Sequence, residues 1–122
     1  MSVTGDIKKN LILEILLFSV GVTLISTLYA RNLVLAFLLL VVWSVGIKFW
    51  HKKQDIVFFV VGGILGPLVE IIAVYFGAWQ YTNPSFLGIP LWLPFAWGLG
   101  AVLIKRISET FLIFSKIHNK FK

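Results

Sequence analysis

Apolar residues run in four long blocks along this chain, separated by short polar stretches. The first block, Leu11 to Leu28, has eighteen residues, which as helix reach ~27 Å, about the thickness of a hydrocarbon core. After a short connection from Tyr29 to Asn32, a second block runs from Leu33 to Trp50, so the two predict an antiparallel helical hairpin. The polar run His51 to Asp55 closes it. A third block, Ile56 to Phe76, has 21 residues, ~31 Å of helix. Gly77 to Gly88 is uncharged and aromatic, with turn chemistry at Asn83-Pro84 and Gly88 and a further proline at Pro90, and reads as an outer interfacial loop. The fourth block, Ile89 to Ile104, has only sixteen residues. That is short for a full crossing, and Phe86 and Leu87 can extend it at one end while Ile107 and beyond continue it at the other after Lys105 and Arg106 snorkel. In the tail, Ile107, Phe111, Phe114, Ile117 and Phe121 recur at helical spacing with lysines elsewhere, predicting an amphipathic helix over residues 107–121 that lies on the membrane. The expected fold class is an all-α integral membrane protein, one domain over residues 1–122, with four transmembrane helices and a C-terminal amphipathic interfacial helix.

Projection at ~100° per residue sorts the spans further. In the first, Glu14, Phe18, Gly21 and Ile25 share one face and Ser19, Thr23, Ser26 and Thr27 the opposite one. Such hydroxyls bond their own backbone or a neighbouring helix. The second span is nearly featureless, suited to covering others and facing lipid. In the third, Gly63, Gly66, Pro67, Ala73 and Gly77 fall within about 60° of Glu70, with Gly62 at about 80°. Small residues admit another backbone, and Pro67 predicts a kink near Gly63. Pro94, Gly98 and Ala101 on the fourth span offer a mate. The expected packing residues are therefore Gly62, Gly63, Gly66, Pro67, Gly77, Pro94 and Gly98.

Composition agrees: 59% of the 122 residues are hydrophobic, 13% are charged, and the mean hydropathy is +0.95. With no cysteine, disulfides and thiolate chemistry are excluded. The net charge of +6 sits at the ends of apolar blocks, so it speaks of membrane topology, not of nucleic acid. Ten of the eleven basic residues fall on one side of the alternating spans and Arg31 alone on the other. The positive-inside rule then puts both termini in the cytoplasm and the aromatic loop outside, in what we expect to be the plasma (inner) membrane of a prokaryote. The first block is longer than a signal-peptide core and lacks a small-x-small cleavage site, so it is expected to remain as a membrane helix.

Two acids fall inside spans. Glu14 lies about one turn from the cytoplasmic end, within reach of Lys8, Lys9, Lys105 or Arg106. Glu70 lies roughly 9 Å inside the outer end of its helix, with Arg31 as the one candidate base. An ionised carboxylate in hydrocarbon costs at least ~2.5 kcal/mol, so Glu70 is expected either to act, as an acid, ion site or ligand anchor, or to clamp Tyr75, Trp79 or a backbone carbonyl freed by Pro67. With five acids, and His51 and His118 both at the cytoplasmic surface, neither a metal site, a hydrolytic triad nor a phosphate loop can be assembled, and no cofactor is expected.

Glu70, the run Gly77-Ala78-Trp79-Gln80-Tyr81, and Gly88-Ile89-Pro90-Leu91-Trp92-Leu93-Pro94 with Trp97 together resemble a segment of the membrane-bound carotenoid hydratase family. The resemblance covers about a quarter of the chain. It implies an isoprenoid substrate, with a carboxylic acid protonating an alkene before water adds.

These readings converge on a small membrane protein that binds or acts on a lipidic, isoprenoid-like ligand in an outer-leaflet pocket. Glu70 is its candidate acid or anchor, and Trp79, Tyr81, Trp92 and Trp97 are its walls. Membrane lipid is the expected partner. Two alternatives stay open: a homo-oligomeric proton-coupled transporter or channel, and a structural subunit of a membrane complex.

Overall fold

A computed structural model describes residues 3–50 and 52–120 of the chain. His51, Phe121 and Lys122 lie outside the described residues. Four helices follow one another: α1 (Val3–Leu28), α2 (Asn32–Trp50), α3 (Lys53–Tyr75) and α4 (Leu93–Lys120). No strand occurs among the described residues. Three of the helices, α1 to α3, are long and apolar enough to cross a bilayer, and Leu33, Phe37, Ile64 and Val69 expose their side chains as lipid-facing residues do. The protein is a helical membrane protein.

α1 begins eight residues before the apolar block, with Asp6 in its first turn, where a carboxylate complements the positive end of the helix dipole. α3 passes through Pro67 as one helix. It ends at Tyr75, and Gly77 just beyond, with a φ of 81°, permits a double closure: the Gly77 amide donates to the Val74 carbonyl (3.0 Å) and the Ala78 amide to Ala73 (2.9 Å). Gly77 thus caps the helix. A Cβ there would meet nothing within 4 Å, so Gly77 does not belong with the packing glycines as expected.

The larger departure concerns α4. A fourth span ending at Ile104 and a separate surface helix from Ile107 are one continuous helix of 28 residues. Neither glycine nor proline follows Gly100 in it, so nothing in the local sequence breaks it. Lys105 and Arg106, expected to snorkel to headgroups, instead fold onto Asp55 of α3. Beyond Thr110 the helix stands clear of the others, with Phe111, Leu112, Ile113 and Phe114 all exposed. These four consecutive residues point all around the axis, not along one stripe.

α4 is the helix that touches the other three. The buried apolar core joins Leu17 of α1, Leu35, Leu39 and Val42 of α2, and Leu99, Val102 and Leu103 of α4, each set at the spacing of one helix face. α3 contributes no fully buried large apolar side chain to it, and its Phe59 and Ile71 pack against it partly buried. Its buried residues are Asp55, Gly66, Pro67 and Glu70, so α3 meets α4 through glycine contacts and carboxylates. A Cβ on Gly62 would lie 2.5 Å from that of Ala101, and one on Gly98 would lie 2.7 Å from the Phe59 carbonyl. Only hydrogen fits there. Phe59, whose ring a Cβ on Gly98 would also meet at 2.9 Å, stacks on Trp43 of α2, centroids 4.4 Å apart.

Candidate functional site

Glu70 lies on the face of α3 that meets α4, 8% exposed. One carboxylate oxygen accepts the phenol of Tyr81 and the other accepts the indole N–H of Trp97. Indole can only donate, so the second oxygen is an acceptor, and charge-assisted bonds of this kind are the stronger ones. Gly66, one turn before Glu70, makes room: a Cβ there would overlap the Trp97 ring. The expected clamp partners Tyr75 and Trp79 are not used. Tyr75 points out at 82% exposure, and Trp79 is likewise exposed.

The segment between α3 and α4 forms a cap held on both sides. Toward α3 the tie is Tyr81 to Glu70. Toward the α1–α2 turn, the Asn32 side-chain amide donates to the Asn83 carbonyl (2.9 Å) and to the Ser85 hydroxyl (2.7 Å). Asn83 returns a bond to the Ala30 carbonyl, and the Trp92 indole donates to that of Tyr29 (3.2 Å). The tip is a two-residue hairpin, Leu87-Gly88, closed by Phe86 and Ile89. Its φ values of 48° and 82° are those of a turn with both central residues left-handed.

Between α1 and α3, over the surface of α4 and under the cap, lies an apolar cleft of about 630 Å³. α1 and α3 flank α4 without packing along each other, which leaves the cleft open sideways. Ile25, Leu65, Ala96, Gly100 and Ile104 line its length. Tyr81, Trp92 and Trp97 wall its end under the cap, and Lys105 marks its far end. From Trp92 to Lys105 is thirteen residues of chain, ~20 Å along a helix. Of the four aromatic residues named from the sequence as pocket walls, the structure places Tyr81, Trp92 and Trp97 beside this cleft. Trp79 does not line it, and neither does Glu70, which holds two of the walls from behind. Burial and the Glu70 acceptor together push the Tyr81 phenol well above its ordinary pKa, so it remains a donor throughout the neutral range.

A second polar layer lies at the end away from the cap, and sequence reasoning missed its centre. Asp55, assigned to a connecting run, is fully buried. It accepts from Arg106 at 2.6 Å and 3.2 Å and from Lys105 at 3.0 Å. Lys105 also reaches Glu109 (3.5 Å). Next to it Glu14 is buried at 1% exposure, with the Thr110 hydroxyl 3.1 Å and 3.2 Å from its oxygens and Arg106 acting on it electrostatically. Lys105 and Arg106 were expected near Glu14, but their direct carboxylate is Asp55. The available signal was a lone acid two residues into a helix, opposite a Lys-Arg pair on an antiparallel neighbour. Among the described residues no group of three or more metal-ligating side chains comes together.

No family model matches the chain, and no solved structure matches it. Over 58 residues, 46% of the chain, it is 38% identical to the insulin-induced gene 1 protein of Danio rerio. The match spans 23% of that protein's length. These findings overturn the resemblance to membrane-bound carotenoid hydratases. The motif residues of that resemblance, Glu70, Tyr81, Pro90 and Trp97, are accounted for by the clamp and the cap, and the alkene-hydrating chemistry it implied falls with it. What the comparisons give this chain is a partial similarity to the insulin-induced gene 1 protein.

Proposed function

We propose that the chain holds a lipidic ligand in the cleft between α1, α3 and α4. The observation that carries this reading is the cleft itself: about 630 Å³, within the ~300–1,000 Å³ of small-molecule sites, apolar along its length and open toward lipid. Glu70 acts as an anchor for its aromatic walls. Both its oxygens take donors and neither lines the cleft, so this geometry favours neither an acid touching the ligand nor a proton path. In this reading α4 crosses the bilayer beside α3, with Lys105 and Arg106 neutralised at Asp55, both termini lie in the cytoplasm, and the cap faces the outer leaflet.

Gly100 gives the test. It lines the cleft, and a Cβ there would meet nothing within 4 Å. Gly100→Phe therefore fills the cleft from a helix position that tolerates a side chain. Native mass spectrometry with lipid extraction, on protein purified gently from its own membrane, should find a defined lipid on the wild type and lose it from Gly100→Phe. Equal lipid on a folded Gly100→Phe would contradict the proposal.

A further inference from the structure

The cleft has an annex of different chemistry. A second cavity, about 470 Å³, shares Ile25, Tyr81 and Trp92 with the first and continues to the outer surface past Ser26, Tyr29 and Thr82. The first chamber is apolar, whereas this one presents hydroxyls. On α1, Ser19, Thr23 and Thr27 each bond back to the carbonyl four residues earlier at 2.8 Å, the usual way a hydroxyl is satisfied in a membrane helix. Ser26, between them, makes no such bond. The side-chain hydroxyls of Tyr29 and Thr82 are likewise without a partner in the structure, leaving three free donor-acceptor groups around one chamber.

Charge is absent from this chamber. Its lining contains no Lys, Arg, Asp or Glu, and from residue 71 to residue 104 the chain carries no formal charge at all. Arg31, the one basic residue at this end, is exposed and outside the lining. Ser26, Tyr29 and Thr82 are themselves exposed, and a phosphate or carboxylate held among them would find no counter-ion in the lining. A hydroxyl group both donates and accepts, as Ser, Thr and Tyr do, and needs none.

We propose that the annex receives a neutral, hydroxyl-rich headgroup, of the sugar or polyol type, whose apolar tail occupies the cleft. The inference rests on the lipidic reading of the cleft and adds the class of its polar end. A free sugar has the same hydroxyl chemistry, but the shared wall of Ile25, Tyr81 and Trp92 makes the two chambers continuous and favours one amphiphile across both.

The experiment uses the full chain in nanodiscs and native mass spectrometry. Three lipids with identical acyl chains compete: a glucosyl diacylglycerol, a phosphatidylglycerol and an unsubstituted diacylglycerol. Free glucose is a fourth probe. The glucosyl lipid should be retained over the other two, and each of Ser26→Ala, Tyr29→Phe and Thr82→Val should cut that preference about five-fold, the worth of one neutral hydrogen bond, without lowering retention of unsubstituted diacylglycerol. Gly100→Phe should abolish retention of all three. Equal retention of the three lipids by the wild type, all lost in Gly100→Phe, would overturn the headgroup inference and leave the lipid site standing. Preferential retention of phosphatidylglycerol would overturn it too, as would binding of free glucose as tight as that of the glucosyl lipid. Retention of all three unchanged in a folded Gly100→Phe would remove the lipid site itself.

Discussion

Trp97 of α4 donates its indole N–H to Glu70 of α3 across a point where Gly66 has no side chain to intervene. Fifteen residues away on α3, ~22 Å along the helix, Asp55 binds Lys105 and Arg106 of the same partner helix. α3 is thus fastened to α4 near both ends by carboxylates, with glycine contacts and the partly buried Phe59 between them. That arrangement lets one face of α4 stay open as the cleft wall while α3 holds its place.

The first consequence concerns glycines that look alike in sequence. Gly66→Ala puts a methyl group into the Trp97 ring, separates the indole from Glu70 and should cost about 1–3 kcal/mol, as overpacking does. Gly100→Ala meets open space and should be neutral or gain up to about 1 kcal/mol through helix propensity. Unfolding in mixed detergent micelles measures both, and a tryptophan emission shift should accompany Gly66→Ala alone.

At the end away from the cap, Asp55→Asn takes the carboxylate away from two cations held within the protein. Breaking a buried pair by removing one partner costs ~3–5 kcal/mol, so this variant should be among the least stable single substitutions in the chain. Lys48→Ala, at an exposed site, should change stability by less than about 0.5 kcal/mol. Thermal denaturation of the two in the same detergent makes the comparison.

The Tyr81 phenol should ionise only above the ordinary value of about 10, because burial and the Glu70 carboxylate both disfavour phenolate. Its folded pKa is raised, so the stability it adds is fully present below about pH 10 and is lost as the pH rises from there through the folded value. Subtracting the alkaline absorbance titration of Tyr81→Phe from that of the wild type isolates this step. A difference curve centred at or below pH 10 would contradict the clamp.

Leu87 carries a φ of 48° in a two-residue turn where Asn-Gly is the preferred pair. A leucine in the left-handed region costs roughly 1–2 kcal/mol, and its side chain is 71% exposed, so little packing is lost on replacement. Leu87→Asn should raise stability by about 0.5–1 kcal/mol in the same unfolding assay.

Hydropathy marked α1, α2 and α3 closely because the bilayer sets both their length and their composition. It failed on α4 for a definite reason. Lys105 and Arg106 have the look of an interfacial boundary, and only the partner fifty residues earlier reveals that they turn inward. Asp55 was misplaced by the same logic, since a charge beside Lys52 and Lys53 reads as part of a polar turn. Periodicity did put Gly62, Gly63 and Gly66 on the face of Glu70, and the structure turns that face to α4. What periodicity cannot give is the rotation of the neighbouring helix, so the choice of Trp97 and Tyr81 over Tyr75 and Trp79 as partners of Glu70 was not legible. Gly77 shows the converse limit, because a capping glycine and a packing glycine differ only in φ, which the face projection does not contain.

Specific occupancy of the cleft by lipid, beyond the general contact that every outward face makes, is read by photo-crosslinking: a diacyl lipid with a diazirine near the chain end is supplied to the protein in native membranes, and adducts are mapped by peptide mass spectrometry. Adducts should concentrate on Ile25, Leu65, Ala96 and Ile104 of the cleft and be depleted by Gly100→Phe. Adducts spread evenly over outward-facing residues such as Leu33, Phe37 and Leu68, and unchanged in Gly100→Phe, would contradict it.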